Sequence, residues 1–158
     1  MSEGKIMESS FTLLRETGSL PLTADEEIRF SIDAYHGYRY VSVRRYIQVD
    51  SFAGPTRDGI TLTPEMVQLL VPLLEQLPDE TEKISVGEIG RFAKRAGICI
   101  VVRVVNFRDY LGLDLRQWQS DTGFTKKGIW LPLEKIKEIK KLFADTLSAL
   151  NERPSDDF

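Results

Sequence analysis

The stretch TRDGITLTPEMVQLLVPLLEQL, from Thr56 to Leu77, returns as TKKGIWLPLEKIKEIKKLFADTL from Thr125 to Leu147. In each copy a basic turn and a glycine precede a short strand and an amphipathic helix. Upstream of each copy lies a strand that ends in an arginine and an aromatic residue, YVSVRRY around Arg44 and LGLDLRQW around Arg116. The sequence is therefore an internal duplication, and its fold is expected to be one unit repeated.

Hydrophobic periodicity predicts the elements of each unit. Alternating residues predict strands over 28–35 and 39–46, joined by a hairpin turn, and the second unit repeats this scheme. An earlier strand is predicted in each unit, at 9–14 and 86–94. Thr63 is a good N-cap before Pro64, and Pro72 is expected to kink the first helix or end it early. The predicted class is α+β, with two tandem strand-strand-strand-strand-helix repeats whose curved antiparallel sheets are covered by the helices.

Polar segments and charge divide the chain. We predict a first repeat at 1–80, a second repeat at 81–150 and a disordered tail at 151–158. Residues 1–82 carry 7 Lys/Arg against 14 Asp/Glu, whereas residues 83–150 carry 13 against 7. The basic second half suits a polyanion, although lysines 135, 137, 140 and 141 are better explained as the solvated face of a helix.

The composition argues against several classes of protein. The single Cys99 cannot form an internal disulfide and no leader is evident, so we expect a cytoplasmic, nucleoid-associated protein. No apolar run is long enough for a transmembrane helix, and no membrane partner is expected. The only histidine, His36, lies in a turn, and neither metal-ligand spacing nor a nucleotide-binding loop is present. We predict no enzyme activity, no cofactor and no metal site.

The outward sheet faces carry arginine interleaved with aromatic residues. They are Arg29, Tyr35, Tyr40, Arg44 and Tyr46 in the first repeat, and Arg103, Phe107, Arg116 and Trp118 in the second. Exposed rings can stack on unpaired bases while guanidinium groups meet phosphates, which is what single-stranded nucleic acid requires. Alternatively, Arg103 and Asp114, or Arg29 and Asp33, form ion pairs, and the rings pack under a neighbouring subunit.

The segments FSIDAYHGYRYVSVRRY and GPTRDGITLTPE resemble the transcriptional coactivator family known as positive cofactor four, including its bacterial single-stranded DNA-binding members. The similarity covers residues 27–77, and residues 87–147 more loosely as a second copy. It implies that the two sheets pair within one chain as an intramolecular pseudo-dimer, forming a channel for single-stranded DNA.

The resemblance also assigns binding positions. The hairpin aromatic falls on Tyr35 and Phe107, and the strand arginine on Arg44 and Arg116. The basic turn has Arg57 followed by Asp58 in the first repeat and Lys126 with Lys127 in the second. Ile47 and Gln119 fall where the family has a second stacking aromatic, so Tyr46 and Trp118, one residue earlier, are candidates. Further candidates are Phe124, where the family has proline, Arg103, and the early-strand residues Arg91, Lys94 and Arg95.

We therefore expect a sequence-tolerant single-stranded DNA-binding protein acting in transcription, replication or repair, with most affinity supplied by the basic second repeat. A homodimer and contacts with the transcription machinery are further possibilities. A protein-interaction or oligomerisation module is the alternative from another class. RNA is the other candidate ligand, because stacking and phosphate contacts serve both nucleic acids. The Pur-type proteins are a related architecture, but the GITLTPE segment argues against them.

Overall fold

The computed structural model describes residues 11–152, which form two four-stranded antiparallel sheets, each followed by a helix. The strands are β1 Thr12–Thr23, β2 Glu26–Tyr35, β3 Tyr38–Val49, β4 Phe52–Leu62, β5 Gly87–Arg95, β6 Ile98–Phe107, β7 Tyr110–Gln119 and β8 Gly123–Pro132. The helices are α1 Pro64–Glu75 and α2 Ile136–Asn151, and single 3₁₀ turns lie at Thr81–Lys83 and Leu133–Lys135. The predicted α+β class with two tandem repeats is confirmed.

Each sheet is a meander, so neighbouring strands in the sequence are neighbours in space. The strand orders are β1-β2-β3-β4 and β5-β6-β7-β8. The registers correspond: Ser31 lies opposite Ser42 as Arg103 lies opposite Asp114, and Tyr35 lies opposite Tyr38 as Phe107 lies opposite Tyr110. The positions of β2 and β3 therefore have defined counterparts in β6 and β7.

Each helix packs against the first strand of the other repeat, and α1 also contacts β3 of its own repeat. Leu142 of α2 packs against Gly18 of β1, and the equivalent Leu73 of α1 packs against Gly90 of β5. A Cβ at either glycine would lie 2.5 or 2.6 Å from the leucine methyl, so glycine leaves the space that the helix of the other repeat occupies. The sequence pattern predicted only that each helix covers an apolar face, and it did not indicate which sheet.

The packing of each helix against the other repeat joins the repeats into one core. Buried side chains of both sheets and both helices belong to a single cluster, in which the rings of Phe30 and Phe143 meet edge to face at 5.0 Å. Thr17 and Thr146 share a hydrogen bond of 2.7 Å across the same interface. Strands β4 and β8 also lie side by side. The pairing of the two sheets within one chain, which the family resemblance implied, is therefore present.

Helix α1 begins as predicted but departs from the prediction further along. The Thr63 hydroxyl accepts a hydrogen bond from the Met66 amide at 3.2 Å. The helix continues through Pro72 to Glu75, so the predicted early end is wrong. Its buried side includes Val67, whereas Leu69 is 59% exposed.

The ends of the described chain also differ from the prediction. β1 runs to Thr23, nine residues beyond the predicted strand, of which residues 9 and 10 lie outside the described range. Asn151 ends α2 and Glu152 forms an ion pair with Arg15, so the helix extends into the predicted tail, whose residues 153–158 lie outside the described range. No helix within residues 11–152 is long and apolar enough to cross a membrane.

Candidate nucleic-acid interface

Both central hairpins close with a two-residue turn between aromatic side chains. His36 and Gly37 have φ of 51° and 82°, and Arg108 and Asp109 have φ of 52° and 70°. Positive φ at both central residues is typical of the turn that matches the right-handed twist of the strands. The turns present Tyr38, Phe107 and Tyr110 to solvent, with exposed fractions of 69%, 57% and 68%.

The strand arginine makes the same contacts with the neighbouring strand in both repeats. Arg44 donates a hydrogen bond to the carbonyl oxygen of Thr56 at 3.0 Å, and Arg116 donates to that of Thr125 at 3.1 Å. Each guanidinium lies across a glycine of β4 or β8, Gly59 or Gly128, where a Cβ would approach it within 2.5 or 2.8 Å. The threonine and the glycine of the basic turn therefore recur for a structural reason. The threonine carbonyl accepts a hydrogen bond from the arginine, and the glycine leaves room for its guanidinium.

The turn itself is also built twice in the same way. The hydroxyls of Thr56 and Thr125 donate to the carbonyls of Arg45 and Gln117 at 3.0 and 3.1 Å. The amides of Asp58 and Lys127 donate back to these hydroxyls at 3.1 Å. The turn side chains differ in charge while their backbone support is the same.

In the second sheet, predicted site residues bind one another. The buried carboxylate of Asp114 accepts hydrogen bonds from Arg103 at 3.2 Å and from Arg116 at 3.1 Å. The Arg103 guanidinium also lies 3.8 Å from the ring centre of Phe124. The pair of Arg103 with Asp114 is the ion pair of the alternative interpretation. Together, these contacts involve three candidate residues, Arg103, Arg116 and Phe124.

Two more arginines each lie over an aromatic ring and form an ion pair with a glutamate. Arg91 covers Trp118 at 5.4 Å and forms an ion pair with Glu88 at 2.8 Å, and its hydrogen bonds lower the pKa of that carboxyl. Arg29 covers Tyr46 at 4.1 Å. Its carboxylate partner is Glu27 at 2.7 Å rather than Asp33, and this hydrogen bond raises the pKa of Arg29.

The remaining candidates from the first repeat meet the basic turn of the second repeat in one groove of about 640 Å³. We call it the basic groove. It is lined by Phe11, Tyr35, Tyr40, Arg44, Arg57, Gly59, Ile60, Thr61, Thr63, Met66, Lys94, Ile100, Gln117, Lys126 and Lys127.

The basic groove contains five cations, Arg44, Arg57, Lys94, Lys126 and Lys127. Within residues 11–152, none of them has a carboxylate within ion-pair distance. Burial lowers the pKa of Lys94, and the positive charges of Arg95 and Lys127 lower it further. The smaller, coulombic part of this shift reflects a local positive field that an anion would relieve.

The basic groove also contains a cluster of aromatic rings. Phe11 stacks on Tyr35 with ring centres 4.7 Å apart and planes 21° apart. Tyr40 meets the edges of both rings, at 6.0 Å from Phe11 and 6.5 Å from Tyr35. Sequence reasoning named Tyr35 and Tyr40 but missed Phe11, because a single phenylalanine before an irregular strand carries no periodic signal.

A second groove of about 800 Å³ is the counterpart of the first, and we call it the mixed groove. It is lined by Leu22, Glu26, Arg45, Asp58, Thr81, Phe107, Arg108, Asp109, Tyr110, Leu111, Arg116, Gly128, Ile129, Trp130, Pro132, Glu134 and Lys135. Arg45, at its first-repeat wall, is bound by Glu26 and by Asp58, each at 2.7 Å. Its four cations face four carboxylates.

The predicted site residues therefore divide into three groups. Those that line the basic groove are Tyr35, Arg44, Arg57, Lys126 and Lys127, and those that line the mixed groove are Phe107 and Arg116. The pairs outside both grooves are formed by Tyr46, Arg91, Arg103, Trp118 and Phe124. The sequence predicts that the second repeat supplies most of the affinity, and in this arrangement the basic groove combines the turn of the second repeat with the rings of the first.

Other kinds of site have less support in the described residues. Across residues 11–152, no three His, Cys, Asp or Glu side chains are grouped so that they could hold a metal ion. Cys99 is half-buried and lies 3.9 Å from the Arg91 guanidinium.

Comparison with known proteins leaves the family undetermined. No family model matches the chain, and no curated protein matches it. Among solved structures, the chain is similar to WHY3 from Arabidopsis thaliana, over 82% of this chain and 85% of that chain, with a TM-score of 0.40 and 8% sequence identity. A similarity of this degree carries no conclusion about function, which must be inferred from the residues that line the grooves.

Proposed function

We propose that this protein binds single-stranded DNA, with little dependence on sequence, in the basic groove. The observation that supports this most directly is the lining itself, where five cations without carboxylate partners in the described chain surround a cluster of aromatic rings. Phosphates require the cations, and unpaired bases require the rings. The mixed groove, which has the same backbone plan, lacks both the excess of positive charge and the stacked pair.

The two repeats contribute different parts of this site. Lys126 and Lys127 reach the groove from the turn before Gly128, opposite Arg57 and the rings of the first repeat. A single strand lying between them would place its backbone against the second repeat and its bases against Tyr35 and its neighbours. Rings and flexible lysines do not read base edges, so low sequence dependence follows.

The biological role is proposed on the resemblance to the positive cofactor four family. A protein of that kind would act as a cofactor in transcription, replication or repair, in the cytoplasm and close to the nucleoid. It would act by binding rather than by catalysis. Its partners would then be single-stranded DNA and, through other surfaces, a second copy or the transcription machinery.

Titration of labelled single-stranded and duplex oligonucleotides over a range of salt concentrations tests the proposal. The logarithm of the affinity for the single strand should fall with the logarithm of salt by about 0.7 per phosphate contacted. The variant K126A/K127A should bind more weakly, whereas K137A/K141A, which removes the same charge from the exposed face of α2, should not. Equal affinity for duplex DNA, or equal effects of the two double variants, would overturn the proposal.

A protein-interaction module and RNA binding remain outcomes of the same experiments. If the oligonucleotides bind only weakly and neither double variant changes that binding, an interaction role is favoured. RNA is separated from DNA by competition between strands of the same length and sequence, since a protein that requires the 2′-hydroxyl would prefer the RNA strand.

A further inference from the structure

We infer that Phe11 is the base-stacking residue of the basic groove, with Tyr35 as its support. This inference rests on the proposed function and deepens it, because it names the ring that an unpaired base would contact. The family resemblance placed this role on Tyr35 alone.

The geometry of the aromatic cluster separates the two rings. Tyr35 has one face against Phe11, at 4.7 Å, and meets the edges of His36 and Tyr40 at 4.2 and 6.5 Å. Phe11 is held on one face by Tyr35 and at its edge by Tyr40, and 47% of it is exposed. The open aromatic surface of the stack therefore belongs to Phe11.

Its position in the groove suits a base. Phe11 lines the same groove as Arg44, Arg57 and the two lysines of the second repeat, so a base on the ring would lie within a strand whose phosphates meet those cations. The ring contacts already hold the phenyl group in place, which lowers the entropy lost when a base stacks on it. The alternative role for Phe11 is that of a lid over Tyr35. A lid would have to give up its contacts with Tyr35 and Tyr40 before Tyr35 became available to a base.

The two roles predict effects of opposite sign. If a base stacks on Phe11, F11A should weaken binding of an oligothymidine strand by about fivefold or more, the equivalent of one stacked base. F11L, which keeps an apolar side chain without a ring, should lose a similar factor, whereas F11W should retain binding. If Phe11 is a lid, F11A and F11L should bind more tightly than the wild-type protein, and this result would overturn the inference.

An abasic oligonucleotide of the same length provides the control for charge. Its affinity should be the same for the wild-type protein and F11A, because no base is present to stack, while K126A/K127A should still weaken its binding. A loss with F11A on both strands would indicate a merely structural role and contradict the inference. Failure of the wild-type protein to bind either strand would instead contradict the proposed function, so the two failures are distinguishable. Thermal unfolding of F11A and F11L establishes that the variants are folded.

Discussion

The two grooves share a backbone plan and differ in charge. Each has a strand arginine over a glycine, a threonine-supported turn and an aromatic hairpin end. In the basic groove the turn that faces the hairpin carries Lys126 and Lys127, whereas in the mixed groove the equivalent turn carries Asp58, which binds Arg45. The turns therefore contribute to the electrostatic difference between the grooves, and Glu26, Asp109 and Glu134 add further carboxylates to the mixed groove.

This comparison also explains why the acidic repeat is not redundant. Because each groove takes its hairpin from one repeat and its turn from the other, the basic turn of the second repeat acts beside the rings of the first. A chain with two identical repeats would contain two equivalent grooves. In this chain, we expect one oligonucleotide strand per molecule.

Reversing the charge of the basic turn should have the largest effect. K126E/K127E should lower the affinity for single-stranded DNA at least about a hundredfold at low salt, because it removes about two phosphate contacts and adds repulsion. The salt dependence of the remaining affinity should be shallower. The matched variant K135E, in the mixed groove, should leave the affinity nearly unchanged, and an equal loss in both variants would remove the distinction between the grooves.

The two strand arginines should differ in what they support. R116A leaves the buried Asp114 with Arg103 as its one remaining ion-pair partner among residues 11–152, so it should lower the free energy of unfolding by about 2 kcal/mol with little effect on DNA binding. Arg44 has no carboxylate within ion-pair distance among residues 11–152, so R44A should mainly weaken binding. Chemical denaturation and oligonucleotide titration of both variants test this. Equal losses of stability in R116A and R44A would show that the ion pair with Asp114 does not account for the difference between the two arginines.

The glycines beneath those arginines provide a finer comparison. A Cβ at Gly128 would lie 2.7 Å from the carbonyl oxygen of Leu115, which is backbone, whereas the three atoms nearest to a Cβ at Gly59 all belong to the end of the Arg44 side chain. G128A should therefore destabilise the protein by about 1–3 kcal/mol, and G59A by less, because a guanidinium can move aside and a strand cannot. Urea unfolding measures both. G59A should instead alter DNA binding, since the displaced group lines the basic groove.

Much of this fold is predictable because it depends on local patterns. The duplicated segment, the alternating strands and the Thr63 cap each leave a signal within a few residues, and all of them are present in the structure. The packing of each helix against the other repeat is not predictable in this way. Both helices present an apolar face, and the choice of sheet depends on the space left at Gly18 and Gly90, far away in the sequence.

The site was only partly predictable for the same reason. Arginine and aromatic residues on alternating positions correctly indicate an unusual sheet face, but the pattern cannot distinguish a side chain that faces a groove from one that pairs internally. Arg103 is held by Asp114 and lies over Phe124, and Arg91 lies over Trp118. The basic groove brings together residues far apart in the chain, such as Tyr35 and Lys126, and periodicity carries no information over such separations.

The smallest expected effect concerns Asp33, a carboxylate near the basic groove that has no counterpart in the second repeat, where Val105 occupies the equivalent position. Burial raises the pKa of Asp33, although a hydrogen bond from Ser31 and the charge of Arg44 oppose the shift. Because the raised pKa means that the folded state binds the proton more tightly than the unfolded state, stability should fall as the pH rises from the ordinary aspartate pKa of about 3.9 through the raised value.

D33N should remove this dependence, and at neutral pH it should raise the free energy of unfolding by less than about 1 kcal/mol. It should also increase the affinity for single-stranded DNA by a small factor, because a negative charge beside Arg44 is lost. Urea unfolding across the acid range and oligonucleotide titration at neutral pH measure the two effects. A less stable variant that binds DNA more weakly would show that the attraction between Asp33 and Arg44 outweighs the cost of burying the carboxylate, and that the arginine depends on it for its position in the groove.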